Sequence, residues 1–411
     1  MRTDHPRGKK EFAELSEMLS RSFVPSYEDW RELFRRDYTL DPAFRPEFSR
    51  VIRRKGRIVA NVSILEKTVR IGRAVLRMGG IGAVTCAQEY RGKNLSSVCM
   101  EDALETMRRN GMVLSFLCCS SALNGFYTRF GYTETWPEHV LKLETRHLAK
   151  LQSTLRVRPY KASDAAALAN LYNTAAAATS GSVIRDAQRF HYGILRENLL
   201  APSKADLQGC VHVFRTGRLP RAYVVMRADE FLEAAFLPGD HEAAVAVLVW
   251  LRERCGQELT LKHVGPAHPL WKFSRRFPHT LQGGMRWSYG GMGRILDVKA
   301  FLYALQPELE ARINSEGVES EGHLHLIVDG QEHSLILGRA HHTSLMISTH
   351  RHILAARVEC TQQALLQMAL GTLSYADIPS VQVSGDKALL KAVFPEAAPC
   401  LYRLDITVQS T

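Results

Sequence analysis

None of the cysteines in the 411-residue sequence stands in a CxxC pair. The eight present (Cys86, Cys99, Cys118, Cys119, Cys210, Cys255, Cys360, Cys400) are scattered. Neither a zinc ribbon nor a thioredoxin-type redox pair is signalled, and reduced thiols in a cytoplasmic setting are the simplest expectation. Long apolar runs are also missing. The longest, about 243–251, is closed by Glu242 and Arg252 and falls well short of the ~20 residues that cross a bilayer, so no membrane partner is expected. The polar, basic start at 1–10 leads into Glu11, Glu14 and Glu17, which leaves no apolar stretch for an export signal. Negative charge is in deficit, with 53 Lys and Arg against 42 Asp and Glu, a net +11. That balance favours polyanions, a phosphorylated cofactor among them. No nucleic-acid reader motif accompanies it, and no nucleic-acid partner is expected.

What remains is an ordinary globular composition, 45% hydrophobic and 23% charged, of a length that fits two or three domains. The chain repeats its own plan. Phe12, Leu15, Met18 and Leu19 read as an amphipathic helix, and Leu168, Leu171 and Tyr172 repeat that layout. A strand, glycine turn and strand over 51–62 has its counterpart over 211–225. A helix over 97–110, then Gly111 and a strand over 112–117, is matched by a helix over 242–255, then Gly256 and a strand over 258–261. After Arg294 the pattern changes. A helix over 298–305, a hairpin over 323–337 turning at Asp329-Gly330, a strand over 344–348, a helix over 361–370 and strands near 381–383 and 403–408 predict a smaller α+β unit.

One segment is built for a phosphorylated ligand. Val84-Thr85-Cys86 closes a strand, Arg91-Gly92-Lys93-Asn94-Leu95-Ser96 makes a short turn, and a helix begins near Ser97. Amide groups at such a helix start point at an anion, and Arg91 and Lys93 add charge. Gly92 and Ser96 let the backbone approach, while Asn94 tolerates a left-handed conformation. Other phosphate loops fail. A Walker A loop needs glycine where Ala87 stands and Ser or Thr where Asn94 stands, and a Rossmann fingerprint lacks its third glycine at Thr85.

The next strand continues into Asn124-Gly125-Phe126-Tyr127-Thr128-Arg129-Phe130-Gly131-Tyr132. This run, with the turn after Val84, resembles the acetyl-CoA-binding core of the GNAT acyltransferases. The whole plan is similar to that of the enhanced intracellular survival (Eis) type N-acetyltransferases. The resemblance implies an α/β (α+β) fold of tandem GNAT-like domains with mixed sheets plus a sterol-carrier-protein-like domain. It divides the chain into an acetyltransferase domain at 1–150, a degenerate second copy at 151–291 and the C-terminal domain at 292–411.

The resemblance also implies a reaction. An amine attacks the acetyl-CoA thioester directly, so the enzyme must position the thioester, accept the amine's proton and protonate the departing thiolate. Arg91, Gly92, Lys93, Asn94, Leu95, Ser96 and Ser97 would hold the pyrophosphate, and Val84, Thr85 and Cys86 the pantetheine arm. Tyr127 would be the general acid, since a phenol of ordinary pKa about 10 can protonate a thiolate of about 8.5. The terminal carboxylate, here that of Thr411, is the candidate base, with a bound water as the alternative. The tail at 404–411 lacks the family's aromatic signature, and Asn94 replaces a usual glycine.

The expected acceptor is a small cationic amine: aminoglycoside-like, a polyamine or a lysine side chain. Glu28, Asp29, Asp37 and Asp41 are candidates to attract it. The family implies a homo-hexamer. No metal is expected, because His323, His325, His341, His342, His350 and His352 have no Cys or carboxylate at structural-zinc spacing. In the second copy, Pro238-Gly239-Asp240-His241-Glu242 stands where a phosphate turn would be, and its acids would repel pyrophosphate. A non-catalytic acyl-CoA or lipid-responsive binding protein is the alternative reading.

Overall fold

The computed structural model of the chain describes residues 3–22, 27–199, 210–227, 229–284, 291–317, 322–337, 346–348, 354–400 and 405. The first helices are α1 (Gly8–Ser22) and α2 (Tyr27–Leu40). Leu15 and Leu19, one helical turn apart on α1, are fully buried, as the sequence pattern predicts. Then come β1 (Ser49–Arg54), β2 (Arg57–Ile71), β3 (Ala74–Cys86), α3 (Leu95–Arg109), β4 (Leu114–Cys118), α4 (Asn124–Thr128) and β5 (Thr133–Trp136). β1 and β2 form the expected hairpin, whose tight turn places Lys55 and Gly56 at φ +50° and +77°. β2 and β3 are antiparallel, and α3 carries the chain over to β4, which lies parallel to β3. On β2, Val62 and Ile64 enter the core beneath α3 with Met100 and Leu104. Ser63 and Leu65 therefore face the opposite side, toward α2.

The chain continues through β6 (Glu138–Glu144), β7 (Arg156–Pro159), α5 (Ala165–Ala175), β8 (Ser182–Val183), α6 (Ala187–Leu199), β9 (Val211–Thr216), β10 (Leu219–Arg227) and β11 (Glu230–Phe236). After them lie α7 (His241–Arg252), β12 (Glu258–Lys262), α8 (Pro269–Ser274), β13 (His279–Gly284) and β14 (Gly291–Ile295). β7, β9, β10 and β11 make one sheet, while β6 pairs between β12 and β13 in another. β14 returns to the first sheet and inserts between β4 and β5. Only glycine fits at Gly293 there, since an added Cβ would stand within 3 Å of Leu366, Thr135 and Trp136 side-chain atoms.

The remaining elements are α9 (Val298–Ser315), β15 (Gly322–Val328), β16 (Gln331–Leu337), β17 (Met346–Ser348), β18 (Leu354–Cys360), α10 (Gln362–Leu370), β19 (Gln382–Gly385) and α11 (Lys387–Val393). The β15–β16 hairpin turns at Asp329-Gly330 as predicted. α9 runs to Ser315, well past its predicted end at 305, and Pro307 lies inside it. Burial of Leu309 and Ile313 continues the apolar stripe beyond the proline and outweighs its helix-breaking tendency. Phe301, Leu305, Leu324 and Leu365 share one core with Ile71, Leu76 and Met78 of the β2–β3 hairpin. Of the strand expected near 403–408 only Asp405 is described; Thr411 lies outside the described residues.

Candidate active site

β3 and β4 pair only where Met78–Gly80 meets Leu114–Phe116. β3 continues to Cys86 and β4 to Cys118 without further pairing between them, so the sheet opens on that side. Beside the opening the β2–β3 register shifts between Asn61 and Ser63, and Ala83 takes φ +50°. This is a bulge. Asn61 Nδ2 donates to the Ala83 carbonyl at 2.8 Å and holds it in place.

The turn into α3 has the conformation its residues suggested. Gly92 has φ +76° and Asn94 φ +58°. α3 begins at Leu95, two residues before the predicted start, so Leu95, Ser96 and Ser97 make up its first turn. The left-handed Asn94 gives it no side-chain cap, and the turn contains no acid. The positive end of the helix dipole is left open to an anion. Cys86, Arg91, Gly92, Asn94, Leu95, Ser96 and Ser97 all line one cleft of about 330 Å³, together with Tyr90, Phe126 and Arg129. Arg91 Nε donates to the Cys86 carbonyl at 3.4 Å. A phosphorylated ligand fits this donor set.

Other sequence candidates sit differently. Lys93 is turned toward Tyr90, its ammonium 4.9 Å from the ring centre, and does not line the cleft. Val84 and Cys86 pack, half-buried, against the core beneath α3. Thr85 points to the other face and donates to Ser22 Oγ at 2.7 Å. Tyr127 is only 2% exposed. Its ring lies 5.0 Å from that of Phe126 and 6.2 Å from that of Tyr132, in a core shared with Leu95, Cys119 and Met292. It stands behind the cleft wall that Phe126 and Arg129 form. Arg129, fourth in the Phe-Tyr-Thr-Arg run, lines the cleft as a second cation.

On the α2 side of the same bulge are two small cavities. The first, about 30 Å³, is lined by Ser63, Gly82 and Ala83 and by Asp37, Tyr38 and Asp41. The second, about 50 Å³, shares Asp37, Asp41, Leu65 and Arg196 with it and adds Lys67, Arg189, Tyr192 and Asp405. Asp37 and Asp41 are thus at the site; the side chains of Glu28 and Asp29 lie outside the described residues. Burial lifts the Asp37 carboxyl above its ordinary range, against the opposing pull of Arg196 and the Tyr192 hydroxyl. Burial also pushes Lys67 down to about 8, against Asp405 and Asp41.

Behind the second cavity lies a buried ionic network. Arg185 donates from Nε and Nη2 to Asp405 at 2.8 Å each, and from Nη1 and Nη2 to Glu233 at 2.7 and 2.8 Å. Tyr172 and Tyr223 hydroxyls complete the two carboxylates. Burial works against the Arg185 charge, but Asp405 and Glu233 hold it firmly protonated. Among the described residues no three His, Cys, Asp or Glu side chains are grouped to hold a metal ion. No described helix is long and apolar enough to cross a membrane.

Residues 5–135 match the family model of the acetyltransferase (GNAT) domain. They form a GNAT-type acyltransferase domain. Acetyl-CoA is the general co-substrate of such domains and an amine their general acceptor. The uncapped start of α3, the open space at Gly92 and the cations Arg91 and Arg129 suit the CoA pyrophosphate. Solved structures similar to the whole chain include a GCN5-related N-acetyltransferase from Anabaena variabilis, at 17% identity and TM-score 0.71, covering 99% of this chain and 100% of that one. A probable N-acyltransferase from Enterococcus faecalis matches at 16% and 0.73, covering 98% of each. Eis1 from Mycobacterium abscessus matches at 13% and 0.66, covering 99% of this chain and all of its own. These likenesses show the fold. No curated protein sequence matches the chain.

Proposed function

We propose that the protein is an Eis-type N-acetyltransferase that moves an acetyl group from acetyl-CoA to the primary amine of a small acceptor by direct attack. The observation that carries this reading is the opening between β3 and β4 beside the uncapped start of α3. The first supplies a slot in which a thioester can be reached from the α2 side, and the second an anion cradle at its mouth. Leu95–Ser97 amides, Arg91 and Arg129 grip the pyrophosphate. The unpaired edge at Val84–Cys86 offers backbone groups to the pantetheine arm. The acceptor amine enters from the cavity lined by Ser63, Ala83 and Asp37, whose carboxylate favours a cation. In this reading Tyr127 protonates the thiolate, and the Thr411 carboxylate or a water takes the amine's proton.

The Eis plan extends to the rest of the chain: an acetyltransferase domain at 1–150, a second copy at 151–291 and a sterol-carrier-protein-like domain at 292–411, in a cytoplasmic homo-hexamer. The likeness in fold to Eis1 along the whole chain supports the order of domains in this plan.

Thiol release from acetyl-CoA, measured against a panel of amines, tests the reaction. Release that rises with added amine is expected; CoA binding without it would leave an acyl-CoA sensor instead. Tyr127→Phe is expected to lower kcat by about 100-fold while leaving acetyl-CoA affinity within about twofold, the range of general acid catalysis. Unchanged turnover would remove Tyr127 from the reaction.

A further inference from the structure

Lys67 is the half-buried cation that nothing else in the structure explains. It projects from β2 on the face that carries Ser63 and Leu65, into the second cavity. Its neighbours there are charged, yet each is already engaged. Asp37 accepts from Tyr192 and Arg196, Asp405 from Arg185 and Tyr172, and Asp41 from the Ala43 amide at 2.8 Å. Glu66, which follows Leu65 on the strand, pairs with Arg77 and Arg45. Arg185 is saturated by its two carboxylates. Arg189 gives Nη1 to the Glu66 carbonyl at 2.8 Å, and its nearest carboxylate, Asp186, is 3.9 Å away. Among the described residues the Lys67 ammonium has neither hydrogen bond nor ion pair. Lys67 and Arg189 are therefore the two cations lining this space of about 50 Å³ that no carboxylate lining it holds within ion-pair distance.

A cation removed from water without a partner is costly, and such groups are ordinarily paired. The missing partner is an anion small enough for this space. The cavity adjoins the one at the Ala83 bulge, with which it shares Asp37, Asp41, Leu65 and Arg196. Ser63 opposes Gly82, and Lys67 opposes Met78, further along the same strand pair. Four residues of strand separate Ser63 from Lys67, about 13 Å.

We propose that Lys67, with Arg189, is the specificity-determining anchor for a carboxylate on the acceptor, so that the substrate is a zwitterion whose amine and carboxylate are several bonds apart. An ω-amino acid, or free lysine presenting its side-chain amine, has this chemistry. The proposal rests on the acetyl-transfer reading and narrows its acceptor from a simple cation to an amine that also carries a carboxylate.

The test compares 6-aminohexanoate with hexylamine, which lacks the carboxylate, in wild type, Lys67→Met and Lys67→Arg. Wild type is expected to favour 6-aminohexanoate in kcat/KM by at least about tenfold, the scale of one charge-assisted hydrogen bond. Lys67→Met is expected to bring that ratio close to one, and Lys67→Arg to keep most of it. Equal use of both amines by wild type, or a ratio that Lys67→Met leaves intact, overturns the proposal. Calorimetric binding of 6-aminohexanoate and hexylamine to the CoA-loaded protein separates the two levels of inference. If no amine releases thiol but 6-aminohexanoate binding depends on Lys67, the acetyl-transfer reading fails and the carboxylate anchor stands. If thiol is released but binding ignores Lys67, the anchor fails alone.

Discussion

Arg185→Met removes the one cation that Glu233 and Asp405 share. The Glu233 side chain is 0% exposed and that of Asp405 4%, so neither carboxylate can turn to water. Four charge-assisted hydrogen bonds go with the guanidinium, as does its stacking 3.6 Å from the centre of the Tyr172 ring. Breaking a buried pair from one side costs about 3–5 kcal/mol, because the partner is left charged and dry. With two carboxylates orphaned, the upper end is expected. At a urea dependence of about 2–3 kcal/mol per molar, the midpoint should fall by roughly 2 M.

Arg185→Met combined with Glu233→Gln and Asp405→Asn should recover most of the loss, since no charge is left stranded. A midpoint for Arg185→Met within about 0.5 M of wild type, or a triple variant no more stable than the single one, would refute the argument.

Two smaller changes test the site's backbone and its buried cation. Asn94→Gly should leave stability unchanged or raise it by a few tenths of a kcal/mol, because φ +58° costs glycine nothing; Asn94→Val should cost about 1–2 kcal/mol by denaturation and weaken CoA binding. The Lys67 pKa, lowered from 10.5 to about 8 by burial, means that the folded chain holds this proton less well than the unfolded one. Wild-type stability should accordingly rise with pH between about 8 and 10.5, and Lys67→Met should be more stable than wild type at pH 7 by about 2 kcal/mol, after discounting for residual solvent contact, with the difference closing by pH 10.5.

The parts of this molecule legible in its sequence are those set by local chemistry. The hairpin at Asp329-Gly330, the buried stripe of Leu15 and Leu19 and the left-handed Asn94 each follow from one or two residues and their neighbours. So does the uncapped turn into α3, because strand end, turn and helix start are contiguous. What escaped the sequence depends on pairing across long separations. Nothing in Gly291–Ile295 announces insertion between β4 and β5, and β6 pairs with strands more than a hundred residues away. Lys67 reads locally as an ordinary strand lysine. Its isolation exists only because α2, α6 and Asp405 close over it. Tyr127 shows the limit of a motif: the segment that contains it forms as a helix beside the cleft, but the position of the ring, 2% exposed behind Phe126, is a packing outcome.

The start of α7 shows how little divides an open helix start from a closed one. α7, like α3, follows a sheet strand, in its case β11. Its N-cap, Asp240, accepts from the Ala243 amide at 3.0 Å and is gripped by Arg221 at 2.7 Å through two nitrogens. The helix end thus carries its own anion. Burial opposes that charge, but Arg221 and the Ala243 amide hold the Asp240 carboxyl below its usual range, so it stays ionised at neutral pH. A second anion would meet repulsion and satisfied amides rather than an open dipole. At α3 the left-handed Asn94 gives no side-chain cap, and the first turn lacks the anion that Asp240 supplies to α7. A ligand that binds the start of α3 stabilises the fold by mass action, so added CoA should raise the denaturation midpoint, and Asp240→Asn at α7 should leave that rise unchanged.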